Sequence, residues 1–351
     1  MNAELVNFAA RLRDAISHPD DAFAGRALEL FALQFQSNAA YRRICEAKGL
    51  TPGNVGHWTE VPFVPTVAFK ELELSSIPPN ERTATFHSSG TTERSPSRHF
   101  HCAQSLDLYG TALWAGFKEK VISGTEKYDL VILSPRPRIT PRSSLVHMFE
   151  VVRRQLGAPD TAFIGELDDG GAWTINFEAA LAALRRDERP KMIMGTAFSF
   201  VHLVDFLAEN NLRLKMAAGS RVMETGGYKN RSRVMSKTQL HGLIAERLGV
   251  SRPGIICEYG MSELSSQAYD AGNAGRHFEF QSWARVQIIS PETGREVACG
   301  ETGLIRIFDL ANVFSVAAIQ TEDLAIRRGE GFDLAGRAAL AEPRGCSLMT
   351  A

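Results

Sequence analysis

Ser88-Ser89-Gly90-Thr91-Thr92 places four hydroxyl side chains around one glycine, and the flanking segments, 85–87 and 98–102, are predicted as strands. Backbone N–H groups and hydroxyls in such a loop can surround a phosphate group, and the glycine lets the chain approach it closely. Arg94 and Arg98 add positive charge beside the loop. The alternative is a Ser/Thr-rich surface turn, because such turns are common connections between strands. The rest of the chain decides between the two interpretations.

Short apolar strands alternate with amphipathic helices in the middle of the chain. Strands are predicted at 129–133, 161–164 and 191–194. The helices are predicted over 106–120, 144–156, 176–186 and 200–209. This alternation predicts an α/β fold with helix-covered sheets, in which ligands bind at the carboxyl ends of the strands.

The pattern becomes strand-rich after about residue 275, with strands predicted at 284–289 and 303–308. We therefore predict one large domain and a flexible tail. The predicted ranges are 1–338 for the domain, about 60–275 for its α/β core, about 276–338 for a small β subdomain and 339–351 for the tail.

The composition favours a small ligand over nucleic acid or a membrane. The formal net charge is −1 over 351 residues, whereas a nucleic-acid-binding protein normally carries a basic excess. No window offers the roughly 18 uninterrupted apolar residues of a membrane span. The start of the chain, 1–16, is an amphipathic helix and is unlike a signal peptide. A cytoplasmic protein is the expectation.

The sequence shows neither the cysteine pattern of a disulfide framework nor that of a zinc site. The five cysteines are odd in number, scattered and without a CxxC pair. His99 and His101 alternate with Phe100, a spacing that favours a strand over a metal site.

Three later segments share an order and spacing with the hydroxyl-rich loop. Cys257-Glu258-Tyr259-Gly260-Met261-Ser262-Glu263 follows an apolar run, Thr321-Glu322-Asp323 comes next, and Gly336-Arg337 follows shortly afterwards. Together with the loop they resemble the adenylate-forming superfamily of acyl-CoA synthetases, peptide-synthetase adenylation domains and luciferases. The resemblance covers most of the chain from about residue 60 to 338. It implies a large domain with layered α/β subdomains and a small β subdomain.

The resemblance also implies roles for individual residues in binding ATP and Mg²⁺. Tyr259 would stack against adenine, Ser262 would reach a phosphate oxygen and Glu263 would bind Mg²⁺. Asp323 would accept the ribose hydroxyls, and Arg337 would donate to ribose or phosphate oxygens. Each alone could instead be a turn, a cap or a solvated charge. The implied nucleotide-binding set is Ser88, Ser89, Gly90, Thr91, Thr92, Gly226, Gly227, Tyr228, Glu258, Tyr259, Gly260, Met261, Ser262, Asp323 and Arg337.

Two further stretches, 61–70 and 226–233, and the near-terminal Cys346 are similar to the acyl-protein synthetases, a branch of that superfamily. Only 14 residues follow Arg337, so we expect no C-terminal lid domain and no lid lysine. Arg98 is then the expected basic catalytic partner, unless another chain contributes one. The branch implies that Cys346 receives the acyl group from the acyl-adenylate and passes it to a partner reductase. The alternative for Cys346 is an ordinary exposed thiol in a tail.

The acid itself is the least determined part of the prediction. Gly195 and Phe198 follow a predicted strand where relatives line the acyl pocket, and His147 could border it, although core packing is equally open for Phe198. The leading hypothesis is an ATP-dependent ligase that activates a fatty acid. The alternatives are an adenylating enzyme that loads an aromatic or amino acid onto a carrier protein, and a nucleotide-binding subunit without catalysis.

Overall fold

The computed structural model describes the chain apart from a few short segments and the C-terminal residues. The residues outside the description are 1, 19, 89–94, 123, 125–126, 159–160, 187–188, 227–231, 234, 272–274 and 338–351.

The helices of the described residues fall into an N-terminal group and a group that alternates with strands. They are α1 (Ala3–Ser17), α2 (Phe23–Ser37), α3 (Ala39–Ala47), α4 (Ala68–Glu71), α5 (Ala103–Lys120), α6 (Ser144–Leu156), α7 (Phe177–Arg185), α8 (Ala197–Glu209) and α9 (Lys237–Leu248). None of these helices is both long and apolar enough to cross a membrane.

The strands form two larger sheets and two hairpins. They are β1 (Val64–Pro65), β2 (Ala84–His87), β3 (Arg98–His101), β4 (Asp129–Ile132), β5 (Thr161–Phe163), β6 (Gly165–Leu167), β7 (Trp173–Ile175), β8 (Lys191–Thr196), β9 (Arg221–Thr225), β10 (Ile255–Tyr259), β11 (Ala268–Tyr269), β12 (Ala284–Ile289), β13 (Thr302–Asp309), β14 (Ala318–Arg328) and β15 (Gly331–Arg337).

A six-stranded sheet in the order β11-β10-β9-β8-β4-β5 forms the centre of the fold, and only its β10–β11 pair is antiparallel. Helices cover both faces. In β4, Leu130 and Ile132 pack in the cluster that includes α5 and α6, whereas Val131 packs in the cluster that includes α7, α8 and α9. This alternation follows from the two-residue period of a strand. The predicted α/β architecture is therefore confirmed.

A second sheet, in the order β1-β14-β13-β12 with β15 beside β14, packs against the N-terminal helices. Leu5, Phe31 and Phe308 belong to one buried cluster that joins these helices to the sheet. The buried Gln34 side chain in α2 reinforces the contact: its amide nitrogen donates to the Asn312 carbonyl at 2.8 Å. The strand-rich region thus shares its core with the start of the chain.

Several elements differ from the sequence predictions at their ends. Strand β8 continues to Thr196, and α8 begins at Ala197 instead of residue 200, because the Thr196 hydroxyl caps the helix by accepting from the Ser199 N–H at 3.2 Å. The hairpin of β6 and β7, the helix α9 and the long strands β14 and β15 were not predicted. The last two carry the Asp323 and Arg337 motifs.

Candidate active site

The segment that follows β10 brings Glu263 to the carboxyl edge of the parallel sheet. The Glu263 side chain is only 5% exposed, and its Oε1 accepts a hydrogen bond from the Ser97 hydroxyl. The Glu263 backbone carbonyl accepts from the Asn312 side chain at 2.7 Å. Glu263 is therefore held from two directions by residues distant in sequence.

Opposing influences act on the Glu263 carboxyl. Burial raises its pKa, and the Ser97 hydrogen bond, Arg337 and Lys70 act in the opposite direction. Mg²⁺ is commonly bound by one or two carboxylates together with phosphate oxygens and water. No group of three or more His, Cys, Asp or Glu side chains in the described part of the chain could hold a metal alone. A single carboxylate beside a hydroxyl fits an ion shared with a phosphate substrate.

Ser262 joins three parts of the fold at the same edge. Its hydroxyl donates to the His87 carbonyl at 3.1 Å and lies 3.3 Å from the Ser144 hydroxyl at the start of α6. Its own carbonyl lies 2.8 Å from His99 Nδ1, which donates to it. The hydroxyl of Ser262 thus lies between the end of β2 and the N-terminus of α6.

The hairpin of β2 and β3 carries the base of the hydroxyl-rich loop. The Ser88 N–H donates to the Ser97 carbonyl at 3.3 Å, and the Ser97 N–H donates to the Ser88 hydroxyl at 3.0 Å. Arg98 lies opposite His87 in the register of the two strands. Because Ser97 also bonds Glu263, the base of the loop and the expected metal ligand are adjacent.

Several predicted residues lie outside the described residues. They are Ser89, Gly90, Thr91, Thr92, Gly227, Tyr228 and Cys346, the last within the predicted tail.

Tyr259, Asp323 and Arg337 form one connected group. The Tyr259 hydroxyl donates to Asp323 Oδ2 at 2.9 Å, and Arg337 Nε donates to Asp323 Oδ1 at 3.0 Å. Burial raises the pKa of Tyr259 well above its usual range, so the hydroxyl remains a donor. Asp323 and Arg337 are register partners on β14 and β15, which explains their contact. The three residues predicted to hold the nucleoside are thus neighbours.

The ring of Tyr259, which was predicted to stack against adenine, is buried in the structure. Its ring is 6% exposed and packs edge-on against Phe332 at 5.3 Å between centroids, with Phe278 at 6.0 Å. A ring packed among core aromatics offers no open face in this structure. The stacking of adenine on Tyr259 stays a prediction, and the contact that the structure shows for its hydroxyl is the one to Asp323.

Glu258, another member of the predicted nucleotide-binding set, has a buried side chain. It accepts a hydrogen bond from the Thr225 hydroxyl and has a pKa raised to about 7 chiefly by burial. A Cβ at Gly260 would lie 2.4 Å from Glu258 Oε1, so the glycine makes room for this carboxyl. Gly226 follows β9 with a φ of +70°, a left-handed conformation that favours glycine. Met261 is partly buried against the core.

The predicted substrate residues have packing roles in the structure. A Cβ at Gly195 would lie 2.9 Å from Leu133 Cβ, so its missing side chain accommodates the neighbouring strand. Phe198 is 3% exposed and lies 6.5 Å from Trp173 between ring centroids. The contacts of Phe198 agree with the packing alternative, and the substrate role of Gly195 and Phe198 stays a prediction.

His147 belongs to a buried aromatic cluster with Phe86, His101 and Tyr109. The His147 ring lies 5.1 Å from Phe86 and 5.5 Å from Tyr109. Burial lowers the pKa of His99 to about 4, and it also lowers the pKa values of His101 and His147. The predicted strand position of His99 and His101 is confirmed, and both rings are uncharged at neutral pH.

Sequence reasoning missed two residues that organise this edge. Asp309, at the end of β13, accepts from the Ser265 and Ser266 N–H groups at 2.8 and 2.9 Å and so fixes the chain after Glu263. An acidic residue inside the apolar run 307–311 was the available signal. The second residue is Lys70, which follows Phe69; the Phe69 ring lies 6.5 Å from the His99 ring. The positive charge of Lys70 lowers the pKa of the Glu263 carboxyl.

The chain has the fold of the adenylate-forming ligases. A crystal structure of 2-hydroxyisobutyryl-CoA ligase with 2-HIB-AMP and CoA superposes with a TM-score of 0.70 at 16% identity, covering 91% of this chain and 74% of that one. A long-chain-fatty-acid-CoA ligase from Archaeoglobus fulgidus has a TM-score of 0.54 at 16% identity, covering 75% and 53%. No protein-family model matches the sequence.

Two curated relatives are long-chain-fatty-acid–luciferin-component ligases. The protein from Aliivibrio fischeri is 22% identical over 337 residues, which cover 92% of this chain and 86% of the relative. The protein from Vibrio harveyi is 21% identical over 311 residues, covering 87% and 79%. The resemblance to the acyl-protein synthetase branch and the prediction of a ligase are therefore confirmed.

Proposed function

We propose that this protein is an ATP-dependent acid–protein ligase that activates a fatty acid as its acyl-adenylate and transfers the acyl group to its own Cys346. The observation that carries the proposal is the meeting of two residue groups at one sheet edge. Ser97, Ser262 and Glu263 form a phosphate and metal end, and Tyr259 links Asp323 into a nucleoside end. Only three residues separate Tyr259 from Glu263 in sequence.

In the first half-reaction, a carboxylate oxygen of the acid attacks the α-phosphorus of ATP. The bond from that phosphorus to the bridging oxygen breaks, and pyrophosphate leaves. The acid is already ionised at neutral pH, so the site needs no strong base. Positioning of the two substrates and stabilisation of phosphate charge supply the catalysis.

The residues of the chain divide this work. Asp323 accepts ribose hydroxyls, with Tyr259 and Arg337 holding its carboxylate in place. Ser262 and Arg98 contact phosphate oxygens. Glu263 would hold Mg²⁺, which when bound neutralises charge on the phosphates.

In the second half-reaction, the Cys346 thiolate attacks the carbonyl carbon of the acyl-adenylate. The bond from that carbon to the AMP oxygen breaks, AMP leaves, and a thioester remains on the enzyme. The thiol proton passes to solvent. A partner reductase then takes the acyl group, as the resemblance to the acyl-protein synthetases implies.

The deciding experiment is carboxylate-dependent exchange of labelled pyrophosphate into ATP across fatty, aromatic and amino acids. It is run on the wild type, Cys346→Ser, Glu263→Gln and the control Cys299→Ser, which replaces an exposed cysteine on the strand-rich side. We expect exchange with fatty acids in all but Glu263→Gln. Labelled acyl group should attach covalently to the wild type and Cys299→Ser and be absent from Cys346→Ser.

The other outcomes are equally informative. Exchange with aromatic or amino acids alone would replace the fatty-acid proposal by the carrier-loading alternative. Covalent acylation that persists in Cys346→Ser would remove the proposed acceptor. An absence of exchange with every acid would leave only the non-catalytic nucleotide-binding subunit.

A further inference from the structure

The segments that follow the neighbouring strands β4 and β5 lie side by side. The two strands are parallel partners, so the chain leaves both of them at the same edge of the central sheet. The Gly165 N–H donates to the Ser134 carbonyl at 3.1 Å. The central carbon of the Arg136 guanidinium lies 5.9 Å from the centroid of the Phe163 ring. The loop after β4 and the hairpin of β6 and β7 therefore form one continuous surface.

The half of this surface that follows β4 is positively charged. The arginine loop, residues 136–142, exposes Arg136, Arg138 and Arg142 and contains no acidic residue. Its backbone is braced, since the Ile139 N–H donates to the Arg136 carbonyl at 2.9 Å. The two prolines of the loop restrict the backbone further. The positive charges are thus presented on an ordered turn.

The half that follows β5 is negatively charged. The acidic hairpin, residues 165–175, contains three acidic residues and no basic one. Asp168 and Asp169 are both exposed at its tip. The Asp168 carboxylate accepts from the Gly170 and Ala172 N–H groups at 2.9 and 2.8 Å, which fixes the turn. The negative charges are therefore also held on an ordered turn.

Apolar side chains are exposed on both halves. Ile139 and Leu167 are 43% and 39% exposed, and they are two of the four large apolar side chains that are exposed in the described part of the chain. Leu167 is the register partner of Trp173, whose ring lies 6.5 Å from the Phe198 ring between centroids. Apolar and aromatic side chains bordered by charges are typical of protein interfaces.

These charges are not neutralised within the described part of the chain. Neither Arg136 nor Arg138 forms an ion pair with a carboxylate of the described residues. Asp168 and Asp169 likewise form no ion pair with a cation there. Both charged halves are therefore available to a partner.

The two signs of charge restrict what that partner can be. An anionic membrane or a wholly acidic protein would be attracted by the arginine loop and repelled by the acidic hairpin, and a basic partner would meet the reverse. A second copy of the chain carries both signs in the required arrangement. A two-fold rotation places the arginine loop of each copy opposite the acidic hairpin of the other, as in an isologous interface.

We infer that this surface joins two copies of the chain in a two-fold dimer, with Ile139 and Leu167 of both copies between the charged halves. The inference goes beyond the proposed function and does not depend on it. Burial of the apolar side chains supplies the attraction, and the opposite charges fix the orientation of the two copies.

The test is sedimentation velocity on the full chain, with Arg138→Glu and Asp169→Arg as variants. Each change puts like charges opposite each other at both symmetry-related contacts. We expect the wild type to dimerise and the Kd of the dimer to rise about tenfold or more in each variant. Arg43→Glu and Asp21→Arg are the matched controls, at exposed positions of the N-terminal region, and should keep the wild-type Kd.

An equimolar mixture of the two variants gives the sharper measurement. When one copy carries Arg138→Glu and the other Asp169→Arg, opposite charges again face each other at both contacts. The mixture should therefore dimerise with a Kd close to the wild-type value, although each variant alone dimerises weakly.

Ile139→Ser tests the apolar centre separately from the charges. Added salt should weaken the wild-type dimer, because exposed ion pairs are screened. Ile139→Ser should raise the Kd about fivefold at every salt concentration and leave the salt dependence unchanged. Because the Ile139 side chain is largely exposed, its free energy of unfolding in urea should match the wild type, which separates a lost interface from a lost fold.

A wild type that stays monomeric, dimers that neither charge reversal weakens, or a mixture no tighter than its components would overturn the inference. Growth beyond the dimer would also overturn it, because a two-fold interface closes after two copies. Binding of a monomeric wild type to anionic phospholipid vesicles, lost in Arg138→Glu, would replace the second copy by a lipid surface. Dimers rescued by mixing would support the inference whether or not the protein exchanges pyrophosphate, since no readout depends on activity.

Discussion

Tyr259 donates its hydroxyl proton to Asp323 across 2.9 Å, which links the strand β10 of the central sheet to β14 of the second sheet. The two residues are 64 positions apart. Because Arg337 donates to the other oxygen of the same carboxylate, both oxygens of Asp323 are oriented by protein donors. An orientation set in this way would present Asp323 to ribose hydroxyls without a conformational search.

Tyr259→Phe removes only the hydroxyl and is expected to loosen Asp323. We predict that the KM for ATP rises about 3- to 10-fold with a smaller change in kcat, because the loss of one buried hydrogen bond costs about 1 kcal/mol. Steady-state kinetics of acid-dependent pyrophosphate release would measure both constants.

Tyr41→Phe is the matched control for that prediction. Its hydroxyl is also buried and donates to the Pro62 carbonyl at 3.0 Å, in the core of the N-terminal helices. It should lose similar stability and keep the wild-type KM. A raised KM in both variants, or in neither, would show that the bond to Asp323 does not position the nucleotide.

Ser97→Ala tests the link between the base of the hydroxyl-rich loop and Glu263. The Ser97 hydrogen bond lowers the pKa of the Glu263 carboxyl against the effect of burial, so its removal should raise that pKa. A larger fraction of Glu263 is then protonated at a given pH and cannot bind a cation. We expect kcat/KM to fall about tenfold at neutral pH and the acid side of the pH–rate profile to move to higher pH.

The control for this variant is Ser199→Ala, which removes a buried hydroxyl at the start of α8. Its pH profile should match the wild type. An unshifted acid limb in Ser97→Ala would mean that the ionisation of Glu263 does not limit activity.

Asp309→Asn should lower both stability and activity, because Asp309 holds the segment that follows Glu263. The carboxylate accepts four hydrogen bonds, from the Ser265 and Ser266 N–H groups, the Ser266 hydroxyl and the Ala311 N–H. An amide would direct its own N–H₂ group at two of these donors. We predict a loss of about 2 kcal/mol or more in the free energy of unfolding, with a fall in kcat/KM, measured by urea denaturation and kinetics.

Asp129→Asn provides the comparison for Asp309→Asn. Asp129 is also buried and pairs with Lys191 at 2.9 Å at the start of β4, the opposite end of the sheet strands from the site. It should destabilise the protein and leave the KM for ATP unchanged. Equal kinetic effects in the two variants would assign the damage to general instability.

Local patterns predicted the elements that carry strong periodicity. The helix α6 has the predicted bounds, and β4 and β8 lie where apolar runs of strand length occur. The capping box formed by Ser236 and Gln239 was an unused signal for α9. The strand β14 escaped prediction because its segment around 320–323 is polar, and its pairing on both sides overrides local preference.

The site was predictable as a list of motifs but not as a geometry. The order of motifs indicated Ser262, Glu263, Asp323 and Arg337, whereas the bond from Tyr259 to Asp323 depends on how two sheets meet. The burial of the Tyr259 ring depends on Phe332, which a motif cannot reveal. Residues that act through tertiary contacts, such as Asp309, carry no pattern of their own.

His99→Asn should reduce the loss of stability that the wild type shows as the pH falls. Burial lowers the pKa of His99 from 6.5 to about 4, so the unfolded chain binds its proton first as the pH falls. Stability is therefore unaffected by this group above about pH 6.5 and is lost progressively down to about pH 4, by about 3 kcal/mol in all. Asparagine can still donate to the Ser262 carbonyl but does not titrate. In urea denaturation at about pH 7 and about pH 5, His99→Asn should lose less stability between the two than the wild type. The exposed His18→Asn should retain the wild-type slope, and equal slopes in all three proteins would contradict the prediction.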